Sequence, residues 1–380
     1  MTLDEELEQL LAEATRTAAE AGGAPRKDGE LPCAAPGAEA LIAHRGEILS
    51  HQHAGMSVLF DQDGSLLPAS QQRAVSSEEL WDIASLTKVA VAVAAMVQHQ
   101  RGSLDLDAPV VEYLPEFETD DDAATSPLSR RHVLIRHLLN HTSGLSSVAR
   151  PWTVPGGRDD RAAYLLSRPL ERTPGESHVY SCVGFMTLGL ALERITGLQL
   201  PELIAETVTG PLGMESTSYT PQPGLPVAAT EYDTTTGRGL VVGEVHDEAA
   251  GALGGSGNAG LFSTAADIFR LGEEIRTGSA GVLSPAGRQL LSTGTLSAAE
   301  HERVGYNQSM GLRMGQFGFM GTGDTQVLGH TGFVGTSLVI DPIDDLVVVL
   351  LTNNVHPHRD AFMLMPLRRA VAATARRAVT

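Results

Sequence analysis

Directly after Lys88 the chain runs through nine consecutive apolar residues, Val89-Ala90-Val91-Ala92-Val93-Ala94-Ala95-Met96-Val97. A helix that is apolar on every face must be buried on every face, so this segment belongs at the centre of the core. It is far too short to span a bilayer. The residues before it are Ser85-Leu86-Thr87-Lys88, with Ser85 at what reads as a helix start. A lysine on the first turn of a buried helix is at least partly withdrawn from water. Of the 27 Lys plus Arg, only Lys27 and Lys88 are lysines. A guanidinium keeps its proton at any working pH, whereas a desolvated amine can lose its own. Ser85 and Lys88, three apart, share one helix face, the arrangement of an activated serine nucleophile. The alternative is a serine N-cap followed by a solvated lysine, and the apolar run argues against solvation.

Length and charge narrow the function classes. At 380 residues the chain can build a large core, and its size predicts two lobes. A net charge of −19 weighs against nucleic acid and anionic membranes as partners, because both require basic patches. Cys33 and Cys182 cannot form a disulfide framework and suit a reducing compartment. The acidic, amphipathic start, Met1-Thr2-Leu3-Asp4-Glu5-Glu6-Leu7, lacks a basic n-region followed by an apolar core. A cytoplasmic location is the expectation.

Periodicity predicts a helix from Leu3 to about Ala21 and a Gly/Pro-rich linker from Gly22 to Gly37. Strand patterns follow at Ala40–His44, Glu47–Leu49 and Met56–Phe60. Helix signals dominate from Ser85 to about Gly213, including Ile135–Leu139 and Val183–Ile195. Thr220 to Gly260 reads as loops. Strands return at Thr336–Ile340 and Leu346–Thr352, and a closing helix is expected from about Arg359. This order predicts an α/β fold, with a sheet completed from both chain ends around an inserted helical lobe. The expected organisation is a helix and linker over 1–37 and a catalytic domain over 38–380. Its α/β lobe would take about 38–84 and 250–380, and its helical lobe about 85–249.

Two further segments join the serine and lysine: Pro174-Gly175-Glu176-Ser177-His178-Val179-Tyr180-Ser181-Cys182 and Gly329-His330-Thr331-Gly332-Phe333. The pattern also includes Gly102–Val110, Leu138-Leu139-Asn140-His141-Thr142-Ser143-Gly144-Leu145, Gly210–Met214, Ala259–Thr264 and Leu350–Asn354. On these motifs the chain resembles the serine β-lactamase and penicillin-binding-protein superfamily over about Ala38 to Val371. The branch it most resembles holds class C β-lactamases, D-aminopeptidases and esterases. The resemblance implies a β-lactamase-like fold, an antiparallel sheet flanked by helices with an all-helical lobe inserted. It makes Ser85 the nucleophile that forms an acyl-enzyme. Lys88 would take its proton or hold the tyrosine oxygen ionised, and Tyr180 would be the acid/base. The N–H groups of Ser85 and Phe333 would form the oxyanion hole, with His330, Thr331 and Gly332 on the edge strand bounding the substrate.

Two departures from the family pattern set an expectation about substrate. Cys182 stands where the family has an asparagine, and a thiol is a poor donor to an amide side chain. His330 stands where many relatives have lysine, and offers at most a partial charge near neutral pH. Both changes favour an esterase or a biosynthetic transacylase, as in natural-product acyltransferases, over a β-lactamase, D,D-peptidase or D-aminopeptidase. A catalytically silent binding homologue is the remaining alternative. The expected partners are a small-molecule ester or amide donor and an amine or alcohol acceptor, or water, with no cofactor. Trp152 is expected to border the cleft, and His246 and Asp247 to approach its rim. His51 and His53, with His44 nearby, do not complete a metal-ligand set.

Overall fold

The computed structural model describes residues 1–16, 33–118 and 125–380. Its centre is an antiparallel sheet of eight strands: β1 (Gly37–His44), β2 (Glu47–Val58), β3 (Arg73–Ala74), β4 (Asn307–Gln308), β5 (Arg313–Met314), β6 (Leu328–Thr331), β7 (Ser337–Asp341) and β8 (Leu346–Thr352). They lie in the order β3-β2-β1-β8-β7-β6-β5-β4. The first and last strands of the chain thus meet in mid-sheet, with Ala38 opposite Thr352 and His44 opposite Leu346. The antiparallel sheet expected from the sequence is present, with helices on both faces.

Side-chain alternation explains the layers. Ala38, Ala40 and Ile42 of β1 join Val348 and Leu350 of β8 in one apolar cluster, which α1 (Leu3–Thr15) fills with Leu7 and Leu11. The C-terminal helix (Met365–Arg377) completes that cluster with Leu367 and Val371. Leu41 and Ala43 point the other way, toward a second cluster that includes Val347, Val349 and the helix Ala265–Thr277. Because β1 and β8 are covered on both faces, β8 and the Ala40–Ala43 part of β1 read as continuous apolar runs rather than alternating ones.

The second cluster continues into α2 (Thr87–Gln100), whose residues from Thr87 through Gln98 are all buried. The apolar run therefore lies where its composition requires. Around it pack Ile135–Leu139 and α3 (Cys182–Thr196), which ends on Gly197 in the left-handed conformation (φ 72°). Glycine takes that conformation without the steric cost of a Cβ.

Several boundaries differ from expectation. The two pieces at Glu47–Leu49 and Met56–Phe60 are one strand, β2, ending at Val58. Its polar middle stays in register with β1, from Gly37 opposite Gly55 to Ile42 opposite Ser50. A partly exposed face carries His and Gln there, so apolar patterning alone misses it. Helix α1 ends at Thr15, and the rest of the expected helix, with most of the linker, lies outside the described residues. The closing helix starts at Met365 rather than Arg359. Arg359 is instead bound to Glu231 through its side chain and backbone N–H. Within the Thr220–Gly260 loops are a two-residue hairpin, Tyr232–Asp233 with Gly239–Leu240, and α4 (Glu248–Leu253).

One buried carboxylate ties the sheet to the segment that carries Ser85. Glu39 of β1 is fully buried, accepts from Trp81 Nε1 at 2.6 Å and pairs with His51 Nε2 at 2.6 Å. Removing it leaves a buried indole N–H without its acceptor. Glu39→Ala is therefore expected to lose about 1–3 kcal/mol of stability, read as a lower urea midpoint with the m-value unchanged. An unchanged midpoint would show that the Glu39 link contributes nothing.

Candidate active site

The site is assembled at a short turn between the sheet and α2. Trp81-Asp82 pairs with Phe262-Ser263, and Ile83 N–H donates to Leu261 O at 2.9 Å. Asp82 is buried. Its carboxylate accepts from Ala84 N–H at 2.7 Å and from His246 N–H at 2.8 Å, and burial pushes its pKa up. Ala84 then takes a left-handed backbone conformation, φ 45°, a strain of order 1–3 kcal/mol for a residue with a Cβ. Ser85 follows in a 3-10 turn, Ala84–Leu86, and α2 begins at Thr87. Ser85 is thus not an N-cap: the cap position of α2 is Leu86, which makes no side-chain cap bond.

Lys88 is fully buried. Its Nζ donates to Asn258 O at 2.7 Å, to Ser85 Oγ at 2.9 Å and to Cys182 Sγ at 3.6 Å. It also lies 5.0 Å from the centre of the Tyr180 ring. Burial pulls the Lys88 pKa down, but its electrostatic interactions with Cys182, Tyr180 and Asp247 pull the other way, and the net direction is up. Three acceptors for three N–H bonds is the geometry of an ammonium rather than a free amine.

Ser85, Tyr180 and Cys182 line one cleft of about 510 Å³. Tyr180 stands just before α3, whose N-cap is Ser181. Across the cleft are Thr331, Gly332 and Phe333 at the end of β6. Gly332 permits close approach: a Cβ there would lie 2.5 Å from Ile83 O and would collide with Thr336 Oγ1. Thr336 Oγ1 in turn donates to Ile83 O at 3.0 Å. The loop bearing the Phe333 N–H is thereby held against the turn bearing the Ser85 N–H. The Phe333 ring, 55% exposed, stacks on His246 at 5.8 Å and under the Arg359 guanidinium at 5.2 Å.

Not every sequence candidate reaches the cleft in the expected way. His330 is fully buried behind it, its Nδ1 2.9 Å from Thr331 O. Burial, with Arg313 and Lys88 nearby, holds its pKa well below the ordinary histidine range. The partial charge expected from it is absent. Trp152 is half-buried and lines a neighbouring cavity of about 470 Å³ with Tyr219 and Val245, not the Ser85 cleft. Contrary to expectation, Trp152 is not among the residues lining the Ser85 cleft. His246 and Asp247 do line the cleft, and both also make structural bonds. His246 Nε2 is 2.9 Å from Glu231, and Asp247 caps α4 by accepting from Ala250 N–H at 2.8 Å. His51 is held by Glu39, and among the described residues no group of three His, Cys, Asp or Glu could hold a metal.

The charge missing at His330 is supplied by arginines that no motif marks. Arg313, on the two-residue strand β5, lines the cleft between the rings of Tyr180 at 5.1 Å and Tyr306 at 5.6 Å. Arg368, from the C-terminal helix, also reaches the wall and donates to Gly332 O at 3.1 Å and Thr336 O at 2.8 Å. Burial, then Arg313, lowers its pKa to about 9. Both residues come from parts of the chain far from Ser85, so only the fold brings them together.

A family model described as Beta-lactamase matches residues 16–373. A protein of Escherichia coli O157:H7, provisionally named a D-alanyl-D-alanine carboxypeptidase, is 30% identical over 349 residues, covering 84% of this chain and 79% of its own. An N-acetylmuramyl-L-alanine amidase of Bacillus subtilis (strain 168) is 30% identical over 348 residues, covering 84% and 78%. Among solved structures, EstCE1, described as a hydrolase with promiscuous acyltransferase activity, superposes with a TM-score of 0.73. It is 23% identical, with 97% of this chain and 99% of that chain covered. Among the described residues no helix is long and apolar enough to cross a membrane.

The close approach at Gly332 provides a direct check on the geometry. Gly332→Ala must displace either the β6 end or the Ile83–Ser85 turn by several tenths of an ångström. A misplacement near 1 Å costs about 100-fold in rate, so turnover should fall by one to two orders of magnitude while the fold survives. Steady-state kinetics with circular dichroism checks this, and wild-type turnover in the alanine variant would contradict it.

Proposed function

The chain belongs to the beta-lactamase family, and from that premise we propose that it is a serine acyl-transfer enzyme acting through an acyl-Ser85 intermediate. Its donor is a small-molecule ester or amide, and its acceptor is an amine, an alcohol or water. The observation that carries the proposal is the contact between Lys88 Nζ and Ser85 Oγ, at 2.9 Å, at the wall of an open cleft. A packed structural lysine would not need a serine that faces a cavity, so a silent binding homologue fits this arrangement less well.

In the proposed mechanism Ser85 Oγ attacks the donor carbonyl. Lys88 keeps its proton in the resting site, orients Oγ and by its charge favours the ionised Tyr180 oxygen, which takes the serine proton. The Ser85 and Phe333 N–H groups receive the developing oxyanion, and such preorganised donors contribute several kcal/mol. The leaving group departs with the proton from Tyr180. The incoming acceptor then gives its proton to Tyr180 as it attacks the acyl carbonyl, and Tyr180 returns that proton to Ser85 Oγ as the acyl–Oγ bond breaks and the product leaves. Cys182 leaves that wall without an amide donor, which favours esters and simple acyl groups over substrates read through an amide side chain.

Arg313 supports a second reading, hydrolysis of the carboxypeptidase type. Its guanidinium on the cleft wall is suited to a substrate carboxylate by charge and by its fork of donors. Under this reading the anionic end of the substrate lies along Arg313 and the scissile carbonyl over Ser85.

One experiment separates these possibilities. Wild type and Ser85→Ala are incubated with activated esters, methyl esters, a peptide ending in D-Ala-D-Ala and β-lactams, with and without added amines and alcohols. Intact mass and product partitioning are then measured. The expected result is an acyl adduct from esters in the wild type only, with product diverted to an amide or ester by millimolar acceptor, since a bound acceptor competes at high effective concentration. Turnover by Ser85→Ala within about tenfold of wild type would end the nucleophile assignment. Acid as sole product, with the peptide preferred over esters, would replace the acyltransferase reading with the carboxypeptidase one.

A further inference from the structure

The segment Leu138–Leu145 has no part in the chemistry above, yet His141 within it grips the residues on both sides of Tyr180. Its carbonyl accepts from Val179 N–H at 2.9 Å, and its ring Nδ1 accepts from Ser181 N–H at 3.1 Å. Its ring lies 4.5 Å from the Tyr180 ring and 5.2 Å from that of Phe185. The neighbouring residues continue the hold: Ser146 O accepts from Ser181 Oγ at 2.7 Å and Ser147 O from Cys182 N–H at 2.8 Å.

Two features set this imidazole apart. His141 has φ 60°, a left-handed conformation that non-glycine residues seldom take. A turn that needed only this backbone would be served better by glycine. The ring is also buried, 2% exposed, with Nε2 lacking a partner among the described residues. Since Nδ1 must be the lone-pair acceptor for Ser181 N–H, the proton sits on Nε2. Burial, followed by His178, Lys88, His330 and Arg313, holds the ring neutral, which the acceptor role requires.

We propose that His141 is the positioning residue for Tyr180: a neutral acceptor that fixes the backbone on either side of the phenol and so holds it in the cleft it shares with Ser85, its ring 5.0 Å from Lys88 Nζ. The proposal rests on the reading that Tyr180 handles the Ser85 proton. It differs from a packing role in what should replace the histidine. Asparagine tolerates the left-handed conformation, and its side-chain oxygen can take the place of Nδ1. Glycine fits the backbone but offers no acceptor.

The test measures kcat, KM and the acylation burst with a p-nitrophenyl ester for wild type, His141→Gly, His141→Asn and Tyr180→Phe. His141→Gly should remain folded and lose about 100-fold in kcat and burst rate with KM little changed, the loss expected from a misplaced catalytic group. His141→Asn should recover most of that loss. His141→Gly within about threefold of wild type, or His141→Asn no better than His141→Gly, would overturn the proposal. Should His141→Gly fail to fold, His141→Gln decides in its place. Its amide reaches toward the Nε2 position, so near wild-type activity there would overturn the proposal and a large loss beside an active His141→Asn would sustain it. Tyr180→Phe keeps the outcomes distinct: an active Tyr180→Phe ends the role given to Tyr180, whereas an inactive Tyr180→Phe beside an active His141→Gly ends only the role given to His141.

Discussion

A buried ammonium has to be satisfied completely or it becomes a liability of several kcal/mol, and much of this structure surrounds one. Lys88 gives its three N–H bonds to Asn258 O, Ser85 Oγ and Cys182 Sγ. Each partner arrives from a different element. Ser85 comes from the turn before α2 and Cys182 from the first position of α3. Asn258 comes from the glycine-rich stretch 254–260. That stretch reaches Lys88 because Gly257 packs against α3 without a side chain: a Cβ there would strike the Phe185 carbonyl and come within 3.2 Å of Gly189 N. The apolar helix α2 makes the amine inaccessible to water, and the glycine loop makes burial tolerable.

The sheet supplies the opposite wall. Because β1 pairs with β8, residues from both ends of the chain are fixed in one frame, and β6 is carried to the edge of the Ser85 turn. Thr336 and Gly332 close the gap to Ile83, and Asp82 anchors the turn from the other side through Ala84 and His246. The strained φ of Ala84 persists because the bonds around it over-determine the turn. A nucleophile presented on such a turn has little freedom to leave the cleft wall.

The features legible in the sequence were those whose partners are local or whose composition demands burial. Val89–Val97 could only be a core helix, and Ser85 and Lys88 meet within one turn. Strands β7 and β8 and helix α3 were readable from apolar runs ended by turn residues. What escaped were long-range encounters. His330 looked like a partly charged rim residue, because nothing in Gly329-His330-Thr331-Gly332 says that its ring faces inward. Arg313 lies in a two-residue strand with no motif around it, and its stacking between Tyr180 and Tyr306 exists only after folding. Trp152 lines a cavity beside the cleft because the loop around Val245 and Glu248 lies between them, and that loop has no periodicity to read. The middle of β2 was missed because polar residues on a half-exposed face hide a strand.

The central claim is that a compact, fully buried amine at position 88 organises the nucleophile, and that charge alone would not suffice. Lys88→Arg tests it most directly, since it keeps the positive charge while replacing a compact point donor by a larger planar group with a different donor geometry. The measurement is the rate of Ser85 acylation by a p-nitrophenyl ester in a stopped-flow burst, with thermal unfolding recorded on the same samples. The account predicts a folded protein whose acylation is slowed by at least about 100-fold, close to that of Lys88→Ala. Acylation by the arginine variant near the wild-type rate would contradict it and reduce Lys88 to a source of charge.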